Sequence, residues 1–313
     1  MMNNPMPILL GGLGGLLVVA SLTGRWLAAG ARSPAACATV ANLNARIRAW
    51  WVMVAVCGLA FVFGQRVTLG LFALTSFLAL REFISLTPTR PEDHRAVAVG
   101  FYLLVPLQYA LIGVGWLSLF VLLIPVWGFL VLPVLAVMKG ETQDFLARTA
   151  RVQWALMLCV FCISHAPALL ILDIPGFAGR NVLLLFFLMV VVQLSDVLQY
   201  VFGKLWGRHR LAPRVSPAKT WEGLLGGGAV ATLAGAGLWW ITPFSPVQAG
   251  ALALAIVVAG VCGGLVLSAV KRSLGAKDWG TLIEGHGGML DRMDSVSFAA
   301  PVFFHLVNYF FAR

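Results

Sequence analysis

Two clusters of polar residues interrupt an otherwise apolar chain, and both have the makeup of a place for phosphate groups. In the later cluster Ser268, Lys271 and Arg272 are spaced i, i+3, i+4, so a hydroxyl and two cations share one helix face. Asp291 and Asp294 follow, three residues apart, so two carboxylates can project to one side. Arg292 between them is placed either to pair with the acids or to meet phosphate. Hard oxygen ligands beside phosphates are what Mg²⁺ uses, and Gly285, Gly287 and Gly288 around His286 let backbone come close to a ligand. In the earlier cluster, Ser216-Pro217-Ala218-Lys219-Thr220 precedes Glu222 and Gly223 and reads as a turn followed by a helix start. Exposed amides and a lysine there would hold phosphate oxygens, although a plain basic turn has the same appearance. The chemistry that suits these groups is phosphoryl or nucleotidyl transfer, in which cations and metal neutralise phosphate charge while carboxylates hold the metal.

Asp196 belongs with them. It sits deep in an apolar run, where an aspartate costs about 2.5–3.5 kcal/mol on insertion scales. It either pairs with a neighbouring helix for packing or faces a polar cavity. Tyr200 and Gly203, one and two turns on, fall on the same face and leave room for a ligand or for a close backbone approach.

The elements that position these residues must lie in lipid. Hydrophobic residues make up 60% of the 313 and charged residues only 11%, against roughly 25% charged in soluble domains; mean hydropathy is +0.91. Apolar runs of spanning length fall at 8–26, 49–64, 67–80, 96–115, 117–138, 152–172, 181–202, 223–242, 247–270 and 295–311, which predicts an all-α polytopic bundle of about ten transmembrane helices. Residues 1–150 read as N-terminal transmembrane helices, and 151–313 as a catalytic region with loops 203–222 and 271–294. When the loops are numbered in order, nineteen of the 22 Lys and Arg fall in the odd ones; only Arg66, Arg180 and Arg313 fall on the other side. The positive-inside rule then puts the odd loops, and with them both polar clusters, in the cytoplasm. The net charge of +10 accordingly reads as attraction to anionic headgroups rather than to nucleic acid.

The opening MMNNPMP lacks a basic n-region, so the first apolar segment reads as a retained helix although Ala28-Ala29-Gly30-Ala31 imitates a cleavage site. Cys159, Cys162 and His165 sit inside an apolar run with no second CxxC, so the cysteines read as buried small hydrophobes. No internal repeat supports a transporter built from inverted halves.

At the polar clusters the chain resembles the phosphatidate cytidylyltransferase (CDP-diglyceride synthase) family. The family signature Ser-x-x-Lys-Arg, Lys-Asp, His-Gly-Gly-x-x-Asp-Arg-x-Asp is met by Ser268, Lys271, Arg272, Lys277, Asp278, His286, Gly287, Gly288, Asp291, Arg292 and Asp294, and the upstream element by Ser216 to Gly223. The resemblance implies transfer of a cytidylyl group from CTP to phosphatidate with release of pyrophosphate, at the cytoplasmic face of a bacterial inner membrane, with Mg²⁺ and a possible K⁺ as cations and a homodimer as the assembly. On that reading Asp291 is the leading metal ligand, with Asp294, Asp196 and Asp278 as further metal candidates. Lys271 and Arg272 act in catalysis beside the two acids. Ser216, Lys219, Thr220, Glu222, Tyr200, Ser268, Lys277, His286, Gly287 and Arg292 contact substrate.

Two positions depart from the family pattern. Gly264 stands where an aspartate is usual, one turn from Ser268, and Glu284 stands where proline is frequent. Besides the active transferase, the sequence therefore leaves open a silent homologue that binds lipid phosphate or nucleotide, a transferase for another lipid phosphate, and a transporter or lipid scaffold.

Overall fold

The computed structural model describes residues 5–30, 32–138, 140–282 and 287–312. Ala31, Lys139, Glu284, Gly285, His286 and Arg313, all used in the sequence reading, lie outside the described residues. Helix dominates. In chain order the long helices are α1 (Met6–Gly30), α2 (Pro34–Phe63), α3 (Gln65–Leu86), α4 (Pro91–Gly113), α5 (Leu117–Val137), α6 (Phe145–Ile171), α7 (Val182–Trp206), α8 (Gly223–Gly237), α9 (Pro246–Ser273) and α10 (Leu290–Phe311). Eight are long and apolar enough to cross a membrane; α8 is shorter, and α10 begins with charged residues. This is the expected polytopic bundle.

Each apolar run became a helix, but several helices run well past the apolar stretch. The 30 residues of α2 span about 45 Å, more than a hydrocarbon layer of about 30 Å. Arg46 and Arg48 therefore sit inside this helix and not in a loop. In the same way α3 continues through Arg81 and Glu82, and α6 starts early enough to contain Arg148 and Arg151. Helix α10 starts at Leu290, so Asp291, Arg292 and Asp294 occupy its first turns.

A second difference lies between α7 and α8. Ser216–Thr220 is a strand (β2) paired antiparallel with Arg210–Ala212 (β1), where a turn was expected. Only after this hairpin does the helix begin, with the Thr220 hydroxyl accepting from the Gly223 amide at 3.1 Å as a side-chain cap.

The core gathers around α10, whose inward face buries Val296, Ala299, Ala300, Phe303, Phe304 and Val307 against α6, α7 and α9. Phe303 stacks on Phe187 at 5.7 Å between ring centres. His165 of α6 is buried against Phe120 and Phe304, with Nδ1 2.7 Å from the Phe161 carbonyl. Cys159 is buried and Cys162 half-buried, both as unpaired thiols. On the loop side, the buried pair Arg148 Nε–Asp93 Oδ1 at 3.1 Å ties the start of α6 to the start of α4.

Glycines set how closely the site-bearing helices approach. A side chain at Gly223 would begin 2.6 Å from the Gln199 carbonyl oxygen, and one at Gly227 would collide with the backbone of Leu198 and Gln199. At the α9–α10 crossing, a side chain at Gly263 would begin 2.6 Å from the Asp294 carbonyl oxygen. Small residues at such crossings let backbones pack directly in lipid. Gly227→Ala is therefore expected to cost about 1–3 kcal/mol by overpacking, read as a lowered unfolding temperature in detergent.

Candidate active site

Asp291 is a buried carboxylate with both oxygens engaged. Its Oδ1 receives the Lys271 ammonium at 2.6 Å, in a pair whose side chains are 10% and 5% exposed. Its Oδ2 receives the amides of Trp279 at 2.8 Å and Gly288 at 2.9 Å. Asp291 thus joins the end of α9, the middle of the connecting loop and the start of α10. Gly287 makes that closure possible: its φ is +81°, unfavourable for a side chain, and a Cβ there would begin 2.7 Å from Asp291 Oδ2.

A second carboxylate, missed in the sequence reading, holds the same helix start. Glu82 Oε1 accepts from the Met289 amide and Oε2 from the Leu290 amide, both at 2.8 Å. It takes two of the amides that a helix N-terminus leaves free and places negative charge at the positive end of the helix dipole. Beside it, Phe83 stacks on Trp279 at 5.0 Å, and Trp279 is 1% exposed. The N-terminal half therefore takes part in building the site. The only signal available was an acid near the end of an apolar run, which reads equally as a loop edge.

Next to this node lies a carboxylate pair from two helices. Ser295 links them: its hydroxyl donates to Asp196 Oδ1 at 3.1 Å, and its amide donates to Asp294 Oδ1 at 2.8 Å. The charges of Lys219 and Arg292 act on both acids, and that of Lys271 acts on Asp294. Lys219 reaches in from β2, and a side chain at Gly264 would begin 2.7 Å from its Nζ. The structure thus brings together Asp196, Lys219, Lys271, Asp291, Arg292 and Asp294, from α7, the hairpin, α9 and α10. The Arg292 Nε is buried and finds no partner among the described residues.

Other sequence candidates have different surroundings. Ser268 donates to the Gly264 carbonyl at 2.6 Å, within its own helix. Arg272, Lys277 and Asp278 are exposed, with an Arg272 Nη1 donating to the Ala276 carbonyl at 3.3 Å. Tyr200 is 56% exposed and lies under the Lys204 ammonium at 5.8 Å. The room beside Gly203 is taken by Thr220 and Gly223, so the close backbone approach, and not a ligand, occupies it. Ser216 is half-buried at the start of β2, and Thr220 caps α8.

Glu222 straps the hairpin. The His209 Nδ1 lies 2.6 Å from Oε1, and the amides of Arg208 and His209 donate to Oε2 at 3.0 and 3.2 Å. The bond with the His209 ring, followed by the backbone amides, pulls the Glu222 carboxyl down to about 2. A carboxyl held below its ordinary value contributes stability that is complete above the ordinary range and lost as pH falls toward 2. The strap therefore persists through neutral and mildly acidic pH.

Residues 44–310 match the family model of the cytidylyltransferase family. The chain belongs to that family. It is similar to the uncharacterized protein YnbB of Escherichia coli, 41% identical over 276 residues that cover 86% of this chain and 88% of the relative. It is also similar to the phosphatidate cytidylyltransferase of Mycobacterium leprae, 43% identical over 138 residues, or 43% of this chain and 42% of the relative. The phosphatidate cytidylyltransferase of Brucella abortus is 41% identical over 126 residues, 38% of this chain and 44% of the relative. This chain therefore spans less than half the length of those two enzymes.

Mg²⁺ is bound by hard oxygens, and the donor set here can be weighed for it. Asp196 and Asp294 offer hard oxygens beside each other, Gly264 offers none, and no cluster of three acid, histidine or cysteine ligands occurs among the described residues. Mg²⁺ commonly takes one or two carboxylates, keeps several waters and completes its shell with substrate phosphates. Two carboxylates fit a cation that arrives with nucleotide.

Removing Glu82 leaves two helix-end amides without their acceptor, so Glu82→Ala is expected to cost about 1–3 kcal/mol, measured by thermal unfolding in detergent. Glu222→Gln should loosen the hairpin strap, read as faster trypsin cleavage after Arg208, Arg210 and Arg214.

Proposed function

We propose that this cytidylyltransferase is a CTP:phosphatidate cytidylyltransferase, forming CDP-diacylglycerol and pyrophosphate at the cytoplasmic edge of a bacterial inner membrane. The observation that carries the reading is the convergence of Asp196, from the middle of α7, with Lys219 of the hairpin, Lys271 near the end of α9, and Arg292 and Asp294 at the start of α10. The names of the partial relatives support the substrate assignment, and the distribution of basic residues supports the cytoplasmic side.

In the reaction a phosphate oxygen of phosphatidate attacks the α-phosphorus of CTP. The bond from that phosphorus to the bridging oxygen breaks, and the electron pair leaves with pyrophosphate. Mg²⁺ held by Asp196 and Asp294 would neutralise charge on the triphosphate. Lys219 and Arg292 offset the charge that gathers on the leaving group, while Lys271, fixed on Asp291, keeps the end of α9 in register with α10. The lipid stays in the bilayer and the nucleotide in water, so a site at the boundary serves both.

Gly264 gives one specific reason for a second reading, a silent homologue that binds without transferring. Purified protein in detergent, given labelled CTP, phosphatidate and Mg²⁺, distinguishes the two. Wild type is expected to form CDP-diacylglycerol, and Asp294→Ala to lose ~100-fold or more, the scale of losing a principal charge-stabilising group. Product from Gly264→Asp but none from wild type would establish the silent homologue instead.

A further inference from the structure

Lys219 and Gly264 come from separate elements, yet they share one small volume. Lys219 is the fourth residue of β2 and half-buried, and its Nζ lies 2.7 Å from where any side chain at position 264 would begin. Ser295 Oγ lies 3.6 Å from that same point and donates to Asp196 at 3.1 Å. Lys219 and Ser295 supply the three atoms nearest to that point. The ammonium acts on both Asp196 and Asp294 without forming a direct ion pair with either among the described residues.

We propose that Gly264 is a socket for the Lys219 ammonium, which makes Lys219 the resident cation of the Asp196–Asp294 pair. A metal ion at that pair then competes with a positive charge already in place.

The argument rests on charge and reach. Asp196 and Asp294 lie in an apolar bundle, where two unbalanced carboxylates are costly. Lys271 is committed to Asp291 at 2.6 Å. Arg292 stands on the same helix as Asp294 and supplies one positive charge; Lys219 supplies the other. A lysine is a compact charge on a flexible stem, so it can stand over a glycine and leave when a stronger anion arrives. Triphosphate oxygens are such an anion. Their arrival would draw Lys219 from the socket and uncover the carboxylates for the accompanying cation. This use of the socket rests on the transferase reading, whereas the socket itself does not.

The test is Mn²⁺ binding to the purified protein in detergent, without nucleotide or lipid, by titration calorimetry or loss of the free Mn²⁺ resonance signal. Because no transfer is measured, a protein that fails as a transferase can still pass. Lys219→Met is expected to tighten Mn²⁺ binding ~10-fold or more, equivalent to about 1.4 kcal/mol, because the pair loses one counter-charge. Gly264→Ala should shift affinity the same way by ~3-fold, because its methyl fills the socket and pushes the ammonium back. Lys219→Gln replaces the Met variant if that protein aggregates. Wild-type affinity, within twofold, in both folded variants would overturn the proposal. Tighter binding in the Lys219 variant alone would overturn the role of Gly264, and a change in Gly264→Ala alone would overturn that of Lys219.

Discussion

Charge in an apolar bundle has to be met by other protein groups, because lipid supplies neither counter-ions nor hydrogen bonds. Asp291 shows how this chain meets that demand. One carboxylate, itself at the start of α10, receives an ammonium from α9 and two amides from the connecting loop. Losing either partner would strand the other as an uncompensated charge, which in buried pairs costs about 3–5 kcal/mol. The arrangement is therefore self-enforcing: loop, helix start and lysine hold one another. Glu82 extends it to α3 by taking the next two amides of the same helix end. The loop between α9 and α10 is fixed at two carboxylates from opposite halves of the chain.

The second requirement is proximity. Asp196 and Asp294 sit on different helices, yet the side chain and amide of one serine reach both. That needs α7, α8, α9 and α10 to cross closely, and glycine supplies the closeness where α8 meets Gln199 and where α9 meets Asp294. Each crossing gives up side-chain packing to gain position, a trade that lipid favours because apolar side chains gain little there by leaving lipid for protein. The hairpin follows from the same geometry. Once α8 is pressed onto α7, the chain between them must turn back on itself, and β2 carries Lys219 over the carboxylates as it does so.

Much of this was legible in the residues. Ten apolar runs gave ten helices, because in lipid the backbone of a spanning segment has no other way to satisfy its polar groups than to form helix. Their ends were harder to place. Arg46, Arg148 and Arg151 looked like loop charges, but helices continue past the hydrocarbon where long cationic side chains meet water or buried partners. Ser-Pro-x-Lys-Thr looked like a turn because proline and serine favour turns, and strand pairing with Arg210–Ala212 depends on a long-range contact that local composition does not encode. Glu82 was missed for the same reason, its partners lying 207 and 208 residues away. Asp196, by contrast, stood out because a lone carboxylate in an apolar run is costly enough to need a reason.

The glycine at 264 acquires its meaning from this balance. Taken alone it is a missing oxygen, which argues for a weaker site. Beside Asp196, Asp294, Lys219 and Arg292, all half-buried, it becomes part of a count: two acids share one place with two bases. A third carboxylate there would leave the group net negative until a metal arrived, whereas two carboxylates and two cations are near neutral beforehand. Such a site can stay folded without metal and still exchange one of its own cations for another when phosphate enters. The loss of a ligand and the nearness of a lysine are then a single adjustment, because the space one side chain gives up is the space the other occupies.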